Sequence, residues 1–527
     1  MKKTYKTLLK PMMAVTAMTV AFTSCVNDLD TLPLDENIQT ENNVLTSDSS
    51  YLQLLAKCYA GFAVGGQTAN DGNADISSIG GGYSSYYRQY WNAQELTTDE
   101  AICAWDDGNL RDYHDQDWNS SNELVTALYS RITLEISYCN NLIRLTKGKD
   151  QYKEYATEAR FLRAMSYWHL LDLYGTGPFV TEDDAVGFYF PKQASAQDLF
   201  SYIESELKDI EEVLPLPRAN EYGRVDRAAA WMILAKLYLN AKVYIGTEMN
   251  TECITYCNKV LSAGYTLETK YANLFLADNN LRTNEIILPI CFDGRNTQTW
   301  GGCTYLICAS VGDGMNASEF GIGGGWGGNR TTSAFVAKFP DITGATDKRA
   351  MFYTNNHTLE IDNIFTFRQG YGLGKYKNVT STGAVGSSTT FPDTDVPLLR
   401  VADAYLMYAE AVLRGGTGGT RAQALSYVNQ VRERAYQTYA GDPAADISDS
   451  QLTLDFILDE RARELYWEGQ RRTDLIRFGK FTGGSYIWPW KGAVKEGKST
   501  DAKYNLMPIP SSDINANPNL KQTALWQ

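Results

Sequence analysis

Histidine is scarce in this chain of 527 residues: there are three, His114, His169 and His357. None stands in an HExxH pair, so the zinc-protease pattern is excluded. The strained Gly-x-Ser-x-Gly elbow of serine hydrolases is missing. Positive charge is also short, with 48 Lys and Arg against 62 Asp and Glu and a net charge of −14. Nucleic-acid binding needs clustered cations to neutralise phosphates, and a chain this acidic repels that partner. No apolar run beyond the N-terminus is long enough for a membrane-spanning helix.

Cysteine is present without a metal-binding pattern. Beyond Cys25 there are eight: Cys58, Cys103, Cys139, Cys253, Cys257, Cys291, Cys303 and Cys308. An even count permits disulfides in an exported protein, yet no spacing matches a zinc site. Cys253 and Cys257 fall four apart on an expected helix, and a chain of this length needs no covalent staples. They are read mostly as buried thiols.

The N-terminus "MKKTYKTLLKPMMAVTAMTVAFTSC" has the form of an export signal. Lys2, Lys3, Lys6 and Lys10 make a basic start, and Met12 to Phe22 make an apolar stretch too short to span a bilayer. Small residues Thr23 and Ser24 then precede Cys25, as in a lipobox, with Phe22 where leucine is usual. The expectation is a signal over 1–24, a lipidated Cys25, and an acidic tether over 25–45. A secreted chain with an incidental cysteine is the alternative. Removing the signal takes away four lysines and no acids, so the net charge of −14 becomes −18. Attachment to an anionic membrane must then come from lipid.

Helical periodicity dominates the rest. "ATEARFLRAMSYWHLLDLYG" (156–175) places Phe161, Leu162, Met165, Trp168 and Leu171 at spacings of three and four, and Gly175 ends it. His169 within it is expected to be packed. Further helices are expected over 195–214, 223–244, 398–416, 421–436 and 453–479. Paired by short links and rich in Tyr, Leu and Ala, they suggest tetratricopeptide-like hairpins. The expected fold is mainly α, with minor β, as one compact unit over 46–527. Two irregular zones rich in glycine and aromatics, about 64–120 and 270–400, would decorate that scaffold, and loops on rigid scaffolds commonly carry binding.

Tryptophan in those zones is the second signal. "GIGGGWGGNR" (321–330) surrounds Trp326 with six glycines, which cannot build a core around it. Trp300 stands in "NTQTWGGC", Trp105 in "DEAICAWDDGN", and Trp91 follows "SSYYRQY". Such rings stack on the C–H faces of sugars, while nearby Asp, Asn and Arg bond the hydroxyls. The alternative is that each ring packs under its own loop. The 62 acids leave paired carboxylates for glycoside hydrolysis open, since no motif singles out a pair. A hydrolase on a helical scaffold and a helical-repeat assembly protein are therefore the competing readings.

Four long segments carry a resemblance. "EARFLRAMSYWHLLDLYGTGPFV", "GRVDRAAAWMILAKLYLNA", "PDTDVPLLRVADAYLMYAEAVLRGG" and "ERARELYWEGQRRTDLIRFGKF" occur in the order seen in the SusD/RagB family of outer-membrane glycan-binding lipoproteins. "RQYWNAQELTTDEAICAW" and "EIILPICFDGRNTQTWGGCTYLIC" resemble the starch-binding founding member. The resemblance implies a non-enzymatic protein, lipid-anchored and exposed on the outer membrane, that captures a glucan-type glycan and delivers it to a SusC-like TonB-dependent transporter. It implies an aromatic arc of Trp105, Trp300 and Trp326, with Arg88 as a polar partner. A ligand-contacting asparagine falls on Gly108, leaving Asn109 one place along, and an acidic contact falls on Gly80. Trp300 stands where the founding member has tyrosine. The stacking surface is thus kept and the hydrogen-bonding set rewritten; family members with several tryptophans in this position also bind flatter β-glucans, such as xyloglucan or mixed-linkage glucan. The resemblance also implies one structural calcium on Asn280, Asp393 and Asp395, whose oxygens suit a hard cation. No organic cofactor is implied.

Overall fold

The computed structural model describes residue 45, residues 47–105 and residues 107–527, so the signal and Cys25 lie outside the described residues, as does the tether except for residue 45. Residues 1–52 and 53–527 separate as two units, and the second holds the site.

Among the described residues, eleven helices of seven residues or more build the scaffold: α1 (Asp48–Ala63), α2 (Glu123–Thr146), α3 (Lys153–Tyr174), α4 (Ala196–Ile210), α5 (Arg227–Leu239), α6 (Asn250–Leu261), α7 (Gly302–Ser310), α8 (Val401–Leu413), α9 (Arg421–Tyr436), α10 (Leu454–Leu465) and α11 (Arg471–Arg477). Their starts are written locally. Asn122, Ser195, Asp226, Thr420 and Thr453 each accept backbone N–H groups at the first turn of α2, α4, α5, α9 and α10. α3 stops at Gly175, which takes a left-handed φ of 70°. Consecutive helices pack in hairpins: α2 on α3, α3 on α4, α5 on α6, and α8 on α9, with α6 and α10 also against α8. Alanines 228, 229, 230 and 235 are all fully buried on α5, where they permit close approach. The fold is mainly α, as expected.

Three boundaries differ from the sequence reading. The stretch expected to be helical over 398–416 opens as a strand, Val396–Arg400, antiparallel to Ile286–Ile290. The helix expected over 453–479 breaks between α10 and α11, where Trp467 adopts a φ of 60° and Gly469 one of 76°. Gly302–Ser310, inside an expected loop zone, is helical and buried throughout.

Buried ion pairs cluster around the break after α10. α10 presents Glu460 and Glu464 one turn apart, and Glu468 follows. Glu464 accepts from Arg400 at 2.6 Å, from Arg349 at 3.2 Å and from Arg434. All four side chains are buried. Burial alone would raise the Glu464 carboxyl, but Arg434, Arg400 and Arg349 outweigh it and hold it at about 2. Arg471, at the start of α11, pairs with Asp99 at 2.7 Å, tying the C-terminal helices to the 64–120 zone. That zone is no free loop. Trp91 is wholly buried, set edge-on to Trp467 at 5.2 Å and to Tyr305 at 5.7 Å, so it is core and not contact surface.

Among the described residues no helix is long and apolar enough to cross a membrane. The eight cysteines there are free thiols, seven of them buried, with Cys291 exposed. His169 is packed as expected, and burial pushes its imidazole down to about 3.

Candidate functional site

A short antiparallel ribbon joins the two irregular zones. Ile102–Cys103 pairs with Asn329–Arg330, and Ala104 N–H extends the ladder to the carbonyl of Gly328 at 2.9 Å. Trp105 lies two residues past one strand and Trp326 three residues before the other, so the pairing itself brings the two indoles together. Their ring centroids are 6.3 Å apart, and Trp105 Nε1 donates to the Trp326 carbonyl at 3.2 Å.

The glycine segment is pinned down. At the C-terminal end of α7, the carbonyls of Cys308, Ala309 and Val311 accept from the N–H groups of Trp326, Gly328 and Gly327 at 2.7–2.8 Å. Two of these satisfy carbonyls that a helix end otherwise leaves open. The glycines are needed for the fit. A Cβ on Gly325 would lie 2.1 Å from the Val311 carbonyl oxygen, and one on Gly328 would lie 2.5 Å from the Trp105 ring. Trp326 therefore does not stand on a flexible tip. It is half-buried, laid along the end of a helix with one part open.

Trp300 sits just before α7. Its N–H and the hydroxyl of Thr299 both donate to Asp71, at 2.7 and 3.0 Å, and Asp71 also accepts from Gly65 N–H at 2.8 Å. Asp71 is delivered by the turn Asn70-Asp71-Gly72-Asn73, in which all three non-glycine residues take positive φ. Asn and Asp tolerate that region better than other side chains. Gly82 and Gly301 let the backbones close, since a Cβ on Gly82 would lie 2.5 Å from Trp300 Cβ. Trp300 is 39 % exposed, with its centroid 6.3 Å from that of Trp326 and 4.7 Å from that of Phe391. Trp105, Trp326 and Trp300 thus form a row of three indoles with two equal steps.

Tyr305, at the middle of α7, backs the row. Its centroid is 6.2 Å from that of Trp105, and its hydroxyl donates to Asn92 at 2.7 Å. Arg88 is held between two rings, 4.4 Å from the Tyr305 centroid and 4.9 Å from that of Tyr83. It is buried, and its Nε has no hydrogen-bond partner among the described residues. Cation–π contact thus holds a guanidinium beside the row with donor capacity to spare. Asn109 is exposed with a φ of 64°; its side-chain oxygen accepts from Glu123 N–H at 3.4 Å, at the start of α2. Gly80 is exposed, with nothing within 4 Å of an added Cβ.

Asn280, Asp393 and Asp395 line one cleft of about 520 Å³, together with Asp293 and Tyr222. Asp395 accepts from Phe292 N–H and from the Tyr222 hydroxyl, both at 2.7 Å. Asp393 accepts from Gly294 N–H at 2.8 Å and from the Ser387 hydroxyl at 2.6 Å. Burial, with Asp393 and Asp293 adding to it, pushes the Asp395 carboxyl up to about 7. The donor set is all oxygen and carries excess negative charge, which fits a hard cation.

Asp71, Tyr305, Tyr83 and Phe391 were absent from the sequence reading. The "NDGN" run marks a turn, but nothing in it says that its carboxylate reaches a tryptophan more than two hundred residues away.

The chain matches the family model described as SusD family over residues 340–526, and a second model, described as starch-binding associating with outer membrane, over residues 67–239. A relative, the starch-binding protein SusD of Bacteroides thetaiotaomicron, is 34 % identical, with 96 % of this chain and 97 % of the relative aligned. SusD-like protein P2 of Formosa agariphila is 22 % identical over 85 % of this chain and 91 % of its own length. Among solved structures, surface glycan-binding protein A of Bacteroides thetaiotaomicron in complex with laminarihexaose superposes with a TM-score of 0.68 at 18 % identity, covering 90 % of this chain and 99 % of that one. At that identity the likeness is one of fold.

Proposed function

The chain belongs to the SusD family, and from that premise we propose that it is a cell-surface lipoprotein that captures a glucan-type polysaccharide at the outer membrane and passes it to a SusC-like TonB-dependent transporter. It is a binding protein and not an enzyme. The observation that carries the reading is the row Trp105–Trp326–Trp300, with 6.3 Å between successive centroids and Trp300 open to solvent. Each indole offers an apolar face to a pyranose ring, and Arg88 offers donors to the hydroxyls beside it. Support for a glucan comes from the relative named for starch binding and from the structural neighbour solved with laminarihexaose.

The remaining assignments rest on the same family reading. Cys25 carries the lipid, the acidic segment 25–45 is the tether, and the helical hairpin face meets the transporter. Asn280, Asp393 and Asp395 hold a calcium ion that braces the loops bearing Phe292 and Phe391.

Native gel electrophoresis through amylopectin, laminarin, xyloglucan and mixed-linkage glucan tests the central assignment. Retardation in at least one gel, with no reducing ends released from any of these glycans, is expected. Free migration in all four would overturn it.

A further inference from the structure

Trp326 also lines a cleft away from Trp105 and Trp300. On the side lined by Gly312, Gly314 and Met315 it walls a cleft of about 720 Å³ whose far rim is Phe365 and Arg368. Phe365 is 45 % exposed, and Arg368, about half exposed, stands 3.7 Å from the solvent-facing Asp313. The cleft is built, not incidental. Phe367 forms its floor, buried and held edge-on by His357 at 5.4 Å. Gly312 permits the closeness, since a Cβ there would lie 2.7 Å from the Phe367 ring and 2.5 Å from Gly327 Cα. The rim is tied to the ribbon that carries Trp326: buried Arg330 donates to the carbonyls of Ile364 and Gln369, on either side of Phe365. Arg111 lies 5.5 Å from the Phe365 centroid.

We propose that this cleft is a second carbohydrate subsite, continuous with the indole row through Trp326, that takes further hexose units of the same chain. The proposal rests on the reading of the row as a glycan platform. An exposed phenyl ring stacks on a sugar face, and an adjacent Arg–Asp pair supplies both donors and acceptors to vicinal hydroxyls. The glycines at the cleft floor leave room for a chain to run past Trp326. The occupant is thus a neutral chain long enough to touch Trp300 and Phe365 at once, which selects polysaccharides over short oligosaccharides.

Calorimetry on the full chain tests this with amylopectin and laminarin as polymer probes and with maltose and laminaribiose as short ones. Phe365→Ala and Arg368→Ala are each expected to weaken binding of the retained polymer about fivefold, while leaving the ratio for the short sugars unchanged. The unaltered protein should prefer the polymer, per binding site, more strongly than either variant does. Both side chains are solvent-exposed, and equal thermal midpoints check that the fold is kept. Polymer binding unchanged in both variants, while Trp300→Ala loses it, would overturn the second subsite and leave the platform standing. Polymer binding unchanged in Trp300→Ala as well would remove the platform reading and the subsite with it.

Discussion

At the scale of single residues, glycine placement decides the site. Gly328 touches the Trp105 ring, while Gly324, four positions earlier in the same segment, has nothing within 4 Å of an added Cβ. Gly328→Ala must push an indole or the ribbon aside, at a cost of about 1–3 kcal/mol. Gly324→Ala has room. Thermal unfolding should therefore show a lowered midpoint for Gly328→Ala and an unchanged one for Gly324→Ala; equal midpoints would mean that the ribbon is looser than described. Trp300 and Trp326 were legible in the sequence because each stands next to glycine, where no local core can cover it; Trp105 has no such neighbour and was singled out by the family resemblance. Their supports were not. Asp71, Tyr305 and Phe391 reach the row through tertiary contacts at large sequence separation, and no local pattern encodes those.

At the scale of elements, helices with a clean apolar stripe and a cap were readable, and those without were missed. α3 and its stop at Gly175 were expected to within a few residues. α2, the longest helix, was missed: its buried face carries Arg131, Glu135 and Asn140, which blur the period. α7 was missed because it is buried all round and has no polar face to mark it. The break between α10 and α11 is invisible to periodicity, because apolar spacing is helical on both sides of it. The ion cluster at that break makes a pH prediction. The Glu464 carboxyl is held at about 2, below its unfolded value of about 4.3. Its contribution is present above about pH 4 and is lost as pH falls through about 2. Glu464→Gln removes one carboxylate from the cluster, while Arg349 keeps Asp347 and Glu460, Arg400 keeps Glu285 and Glu468, and Arg434 keeps Glu285; the loss of charged hydrogen bonds should cost about 1.5–3 kcal/mol near neutral pH. In urea titrations that deficit should shrink as pH falls below about 4; a deficit constant down to pH 2 would show that charge is not its source. The calcium assignment is tested on another element pair, the strand Val396–Arg400 and the loop before it. A cation bound only to the folded state raises the midpoint by mass action. Removing calcium with a chelator should lower it and adding calcium should restore it; identical midpoints would remove the ion.

At the scale of the whole molecule, the sequence carried more than its periodicity could. Four long segments in order pointed to the family before any contact was visible. The helical hairpins bury those segments together, and the two irregular zones meet at one ribbon. The proposed lipid on Cys25 would set where the molecule sits. Cys25→Ala, expressed without the transporter, should move the protein from the membrane fraction to the soluble fraction and abolish fatty-acid labelling, since lipid is its proposed attachment to the bilayer. A variant that stays in the membrane and is still labelled would displace the lipid from Cys25.

The row of indoles carries the functional reading, and calorimetry of folded variants against the glucan that retards the protein tests it most directly. Stacking a sugar on an exposed ring contributes about 1–2 kcal/mol by apolar area. A hydroxyl bonded to protein replaces one bonded to water and nets only about 1 kcal/mol. Trp105→Ala, Trp300→Ala and Trp326→Ala should each weaken binding roughly tenfold, and the triple change should abolish it. Affinity should vary little with salt, since a neutral chain makes no ion pairs. Wild-type affinity in all three single variants would place the ligand elsewhere on the molecule.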